Sequence, residues 1–237
     1  MESEFRSFRS VKVLIHIAPR VGVEGAFDSR VLEVAGELRQ HPDVAGHAVN
    51  AMLRLEEDAF GPRTPYRGAL EITAGPAGAE GIESLTAGLG KRLEDVAHSD
   101  RSTLLVGEDH VFVASERAPV RYQYLMRRKE GFSHDAYLKR YREIHSQFGL
   151  KTPGILGYVQ FHVDLEASRR LAMRAGFGVW DVDSVSELHL ESLESFLGEI
   201  TRSTVGGEAG ADEEIFVDRE NSRDFCSKVD WQPQSRS

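Results

Sequence analysis

Residues that could do chemistry recur at regular spacings in the second half of this sequence. Between 134 and 148, Tyr137, Leu138, Tyr141, His145 and Phe148 follow one another by three or four positions, which places them on one stripe of a helix. Lys139, Arg140, Arg142 and Glu143 fall on its outer side. A strand over 155–164 would show Tyr158, Gln160 and His162 on one face and Val159, Phe161 and Val163 on the other. A strand over 182–190 would oppose Val185, Glu187 and His189 to Leu188 and Leu190.

An imidazole titrates near neutrality, so His145 on an aromatic face suits a general base or acid. Tyr141, Tyr158 or Gln160 could then hold an oxygen whose negative charge grows in an enolate-like transition state. A structural reading competes: His145 as a core histidine bonded to backbone, Tyr137 and Tyr141 as helix packing, His162 and His189 as surface residues. Arg128, beside Arg127 near a strand end, is either solvated charge or an anchor for an acidic substrate. His145, His162 and His189 lack the short paired spacing of zinc or iron motifs, so no metal is expected. No GxGxxG or Walker pattern follows a strand, and no GxSxG or papain-like cysteine context occurs.

The elements that must position these residues read as two similar runs. The first has a strand at 11–18 and a helix beginning at Asp28, with Phe27 and Leu32 as a hydrophobic staple and Pro42 closing it. Strands at 46–55 and 66–73, a helix at 82–97 and a strand or hairpin at 102–115 follow. The second run has a strand at 120–129 and a helix capped by Ser133 and stapled by Phe132 and Tyr137. That helix ends at Phe148, with Gly149 in the left-handed position after it. A strand at 155–164, one at 182–190, a helix at 192–200 and a last strand at 213–220 complete it. Ala-, Gly- and Ser-rich stretches at 74–81 and 203–211 read as breaks. Each run has the order β-α-β-β-α-β, a split β-α-β pair.

Composition narrows the function classes. The 237 residues carry 29 Lys plus Arg against 38 Asp plus Glu, a net charge of −9, which disfavours nucleic acid or an anionic membrane as partner. Apolar runs are strand-sized, so no membrane span is expected. The first residues lack the basic start and apolar stretch of a secretory signal. One cysteine, Cys226, permits no intrachain disulfide. The expectation is a soluble cytoplasmic protein.

The stretch LMRRKEGFSHDAYLKRYREIHSQFG at 125–149, with Pro153 and the segment 183–196, resembles the EthD-domain family of the dimeric α+β barrel superfamily. The family pattern runs from a basic strand end through Gly to a helix carrying an aromatic, three residues, then His, here Tyr141 and His145; the family often has Trp where Tyr141 stands. The resemblance implies an α+β fold: two tandem ferredoxin-like halves, 10–117 and 118–228, packed sheet to sheet as a pseudo-dimeric barrel, with a polar tail at 229–237. It also implies a small-molecule pocket between sheet and helices in each half, working with no cofactor.

On this footing the expected function is acid/base cyclisation or dehydration of a small aromatic or polyketide-like molecule. The alternatives are a cofactor-free monooxygenase and a non-catalytic small-molecule-binding protein. His145 and Tyr141 are the expected catalytic residues. Tyr137, Tyr158, Gln160, His162, Glu187, His189 and Arg128 are the expected substrate contacts. The partners are a small-molecule substrate and, compatibly, a second copy in a homodimer; neither nucleic acid nor membrane is expected.

Overall fold

In the computed structural model the described residues are 10–44, 47–56, 64–74 and 81–232. Strands β1 (Ser10–Ile17), β2 (Ala48–Arg54), β3 (Gly68–Thr73) and β4 (Thr103–Val113) come from the first half. Strands β5 (Val120–Met126), β6 (Gly157–Val163), β7 (Ser184–Leu190) and β8 (Arg223–Asp230) come from the second. They hydrogen-bond in the order β1-β3-β2-β8-β5-β7-β6-β4, a closed barrel. Within each half this is the ferredoxin-like order of fourth, first, third, second strand. The α+β barrel expected from the sequence is therefore the one formed.

Two compact units divide the chain: one of residues 109–163 and 181–226, the other of 10–108, 164–180 and 227 onward. Their limits depart from the expected boundary at 117/118. In the latter unit, β1 and β3 pair antiparallel with Val13 opposite Ile72 and Ile15 opposite Leu70. Helix α1 (Glu24–Arg39) covers them with Phe27, Val31, Val34 and Leu38. This helix begins four residues before Asp28, so the expected cap and staple do not form there. Asp28 instead accepts two hydrogen bonds from Arg67, at 2.7 and 2.6 Å. The expected helix at 82–97 is two short pieces, α2 (Ile82–Thr86) and α3 (Leu89–Arg92), broken where Gly88 takes a φ of 66°. Most of the expected break at 74–81 lies outside the described residues.

In the other unit, helix α4 (His134–Arg140) starts as read: Ser133 accepts from the Ala136 amide, and Phe132 packs against the cluster holding Tyr137. A π turn over Tyr141–His145 follows, then α5 (Ser146–Lys151). The chain runs straight through Gly149, which is not left-handed. Its role is space: a β-carbon there would lie 2.2 Å from Tyr158 Cε1.

The region after β6 departs most from expectation. Helix α6 (Leu165–Ala175), capped by Asp164, fills a stretch to which the sequence reading assigns nothing. After α7 (Leu193–Ile200), helix α8 (Val205–Phe216) occupies the expected break at 203–211 and the start of the expected strand at 213–220. The last strand is β8, pairing Ala51 with Asp230 and Leu53 with Lys228. The expected polar tail thus begins inside a strand, and Gln232 beyond it bonds Asn50 and Val49; residues 233–237 lie outside the described residues. Cys226 is buried in β8. No helix among the described residues is long and apolar enough to cross a membrane.

Candidate functional site

Registry decides which side chains face the helices. Strand β7 pairs with β6 so that His189 opposes Gly157 and Glu187 opposes Val159, and with β5 so that Arg121 opposes His189 and Gln123 opposes Glu187. Paired residues share a face. Glu187, His189, Arg121, Gln123, Val159 and Phe161 therefore lie on one face, and Tyr158, Gln160, His162, Ser184 and Ser186 on the other. The helices sit on this second face: the Tyr137 hydroxyl bonds Ser184 Oγ at 2.7 Å, and Gln160 bonds the Tyr141 carbonyl at 3.0 Å.

The expected substrate contacts consequently divide. Tyr137, Tyr158, Gln160 and His162 stand with Tyr141 and His145 under the helices. Glu187 and His189 face away from that site, and Glu187 forms a buried ion pair with Arg121 at 3.1 Å. Arg128 is also committed elsewhere. Its amide donates to Asp183 at 2.8 Å and its guanidinium pairs with the same carboxylate, while His134 reaches Asp183 at 2.8 Å and the Val163 carbonyl at 2.9 Å. These partners hold Asp183 below the usual carboxylate range against the cost of its burial. They tie the start of α4 to the ends of β5, β6 and β7.

His145 projects from the π turn toward α8. Its Nδ1 lies 2.9 Å from Asp212 and its Nε2 3.9 Å from Glu213. Arg140, expected on the outer side, instead pairs with Asp212 and covers the Phe216 ring at 5.6 Å. The rings of Tyr141, Phe148 and Phe216 pack within 5.8 Å of the imidazole. Burial lowers the His145 pKa, opposed by its bond to Asp212. Burial also raises Glu213, with Asp224 and Asp212 adding to it against Arg219, to about 7. An imidazole kept neutral beside a carboxyl that holds its proton near neutrality is a pairing suited to proton transfer.

Asp212 and Glu213 escape the sequence reading because Gly206, Gly207 and Gly210 make their helix look like a break. Spacing could have found them, since Asp212 and Phe216 are four apart and share a helix face.

Tyr141 is fully buried, and its hydroxyl meets the side chains of Ser186 and Tyr158. Burial raises its pKa well above the ordinary value. At neutral pH it is a neutral phenol at the centre of the site, between His145 and the His162 ring at 5.7 Å.

On the other flank of the same helical segment lies a cavity of about 430 Å³, with His110, Phe112, Arg142, Glu143, Ser146 and Leu150 among its lining residues. The His110 ring packs on His162 at 4.1 Å and Phe112 stacks on Tyr158 at 5.2 Å. His110 is a residue the sequence reading passes over, because 102–115 shows no spacing that sets it apart. Among the described residues, no three His, Cys, Asp or Glu side chains gather as a metal site.

Residues 129–220 match the EthD domain family. No curated protein matches the chain. Solved structures match over nearly its whole length at low identity. A proposed monooxygenase from Lactobacillus acidophilus NCFM is 9% identical with a TM-score of 0.53, covering 93% of each chain. An anthrone oxidase-like protein is 11% identical with a TM-score of 0.57, over 95% of this chain and 94% of the other. A haem-binding protein from Thermus thermophilus is 11% identical with a TM-score of 0.52, over 94% and 92%. Likeness at these identities establishes a shared fold.

Proposed function

We propose an enzyme that removes a proton from an activated carbon of a small apolar molecule and passes the resulting carbanion to oxygen, a reading that starts from the match of residues 129–220 to the EthD domain family. The observation that carries this reading is His145, oriented through Nδ1 by Asp212 and facing Glu213 with Nε2. Donation of the Nδ1 proton to Asp212 leaves the lone pair on Nε2, the arrangement of a base held by an orienting carboxylate. Lowering of its pKa keeps that base neutral at physiological pH. Glu213, half protonated near pH 7, is the complementary acid. It can give its proton to the oxygen on which charge collects.

For an anthrone-like methylene the balanced outcome is CH₂ plus O₂ giving C=O plus H₂O. Oxygen as the acceptor is favoured by the neighbours named as a proposed monooxygenase and an anthrone oxidase-like protein. Neither name speaks for the cyclisation or dehydration that the sequence reading places first.

The haem of the Thermus neighbour does not fit His145. Its two ring nitrogens face Asp212 and Glu213, and Phe148 and Phe216 flank the ring, so no step is routed through iron.

The test is anthrone in an oxygen electrode, with loss of the methylene protons to D₂O followed by NMR. Uptake of one O₂ per molecule, and proton exchange without oxygen that both depend on His145, are the expected results. Exchange with product but no oxygen uptake would return the reading to cyclisation. Neither exchange nor uptake on anthrone-class substrates would overturn it.

A further inference from the structure

We propose that Arg140 is a positioning residue for His145: it binds one oxygen of Asp212, so that the other oxygen orients the imidazole without drawing a second proton onto the ring. This rests on His145 being the base of the functional reading, but its first readout needs no substrate.

The geometry is one carboxylate shared by two side chains. Asp212 Oδ1 accepts from Arg140 Nη2, and Oδ2 lies 2.9 Å from His145 Nδ1. The side chains of Asp212 and His145 are 10% and 9% exposed, and that of Arg140 23%. Arg140 Nε is buried without a hydrogen-bond partner among the described residues, and the guanidinium carbon stands 5.6 Å from the centre of the Phe216 ring. An arginine free to seek solvent would satisfy that donor; this one is held by Asp212 and Phe216.

The backbone explains how two residues of one helical segment reach the same carboxylate. Five positions apart on an α-helix, Arg140 and His145 would point about 140° away from each other. The π turn over Tyr141–His145 has a wider cycle, closing i to i+5, and brings such residues toward one side. This is why the α-helical spacing in the sequence sets Arg140 on the outer face.

Charge gives the arrangement its consequence. A buried carboxylate beside an imidazole favours the imidazolium, since an opposite charge stabilises the charged form. A protonated His145 is no base. Arg140 supplies the compensating charge in its place, and a guanidinium keeps that charge across the working pH range. Burial lowers the His145 pKa, the Arg140 charge adds to that, and the bond to Asp212 opposes both. The other charged group facing the ring is Glu213 on α8, 3.9 Å from Nε2 and itself 3.5 Å from Arg219. Tyr141, Phe148 and Phe216 complete the surroundings.

The test is the titration of the His145 ring in the intact chain, followed by NMR, with His145→Gln assigning the signal. In the unaltered protein the ring should be neutral at pH 7 with its proton on Nδ1. Arg140→Met should raise the midpoint by about one pH unit. Arg140→Lys, which keeps the charge, should leave it near the original. Methylene proton exchange from anthrone should slow up to about tenfold on the acid side in Arg140→Met. Thermal melts report folding, and if Arg140→Met does not fold, Arg140→Gln removes the same charge. An imidazolium or an Nε2–H tautomer at pH 7 in the unaltered protein would overturn the proposal. So would a midpoint unmoved by loss of the charge, or one moved as far by Arg140→Lys. A moved midpoint without exchange on anthrone would leave Arg140 in this role and remove the functional reading instead.

Discussion

The ring of Tyr158 fills the space where residue 149 would carry a side chain: a β-carbon on Gly149 would lie 2.2 Å from Cε1 and 2.3 Å from Cζ. A glycine inside a helix costs about 1 kcal/mol relative to alanine, and here it lets α5 close onto β6. Tyr158 in turn accepts from the Gln160 amide at 2.7 Å, so this contact also holds the Gln160 side chain in place. Gly149→Ala should destabilise the protein by about 1–3 kcal/mol through overpacking. Gly36→Ala, in α1 where a β-carbon meets nothing within 4 Å, should stabilise it by about 0.5–1 kcal/mol. Chemical denaturation of both variants checks the contrast.

His145 separates function from packing. As the catalytic base, its replacement by Gln should lower the rate by about 10²–10⁴ with folding intact. If it served only the core, the change should cost about 1–3 kcal/mol and leave activity per folded molecule unaltered. Thermal melts beside turnover assays on His145→Gln and His145→Ala distinguish the outcomes.

Glu213 predicts a pH dependence of definite sign. Its pKa is raised from 4.5 to about 7 in the folded chain, so between those values the native state binds more protons than the unfolded one. Stability from this group is full below about pH 4.5 and is lost as pH rises through 7. His145, with its pKa lowered, works the other way below pH 6.5. Glu213→Gln should therefore gain up to about 3 kcal/mol over the unaltered protein at pH 8 and nothing at pH 4. Urea midpoints at the two pH values measure this, and the turnover rate of the unaltered protein should fall above pH 7 as the acid ionises.

Asp183 should matter to stability rather than to substrate. Its carboxylate is met by Arg128 and His134, and its pKa is lowered. Stability from this group is present above the unfolded value near 3.8 and lost as pH falls through the lower folded one. Asp183→Asn should cost about 1–3 kcal/mol at pH 7. Arg128→Ala should cost less, because its side chain is 37% exposed, and should leave KM near its original value.

The sequence alone determined what depends on near neighbours. Alternation along 157–163 placed Tyr158, Gln160 and His162 on one face, and spacing by four placed Tyr137, Tyr141 and His145 on one stripe, because strand and helix periods are local properties. The Ser133 cap was legible for the same reason. The tertiary structure decided what those faces meet. His145 and Asp212 are 67 positions apart, and the Gly-rich start of α8 becomes helical with only Phe216 buried along its length, so its fate rests on packing rather than on propensity. The turning of Glu187 and His189 away from the helices was likewise a matter of strand register, which links residues distant in sequence. Periodicity gives each strand two faces; only pairing with other strands and the placement of helices choose which face becomes the site.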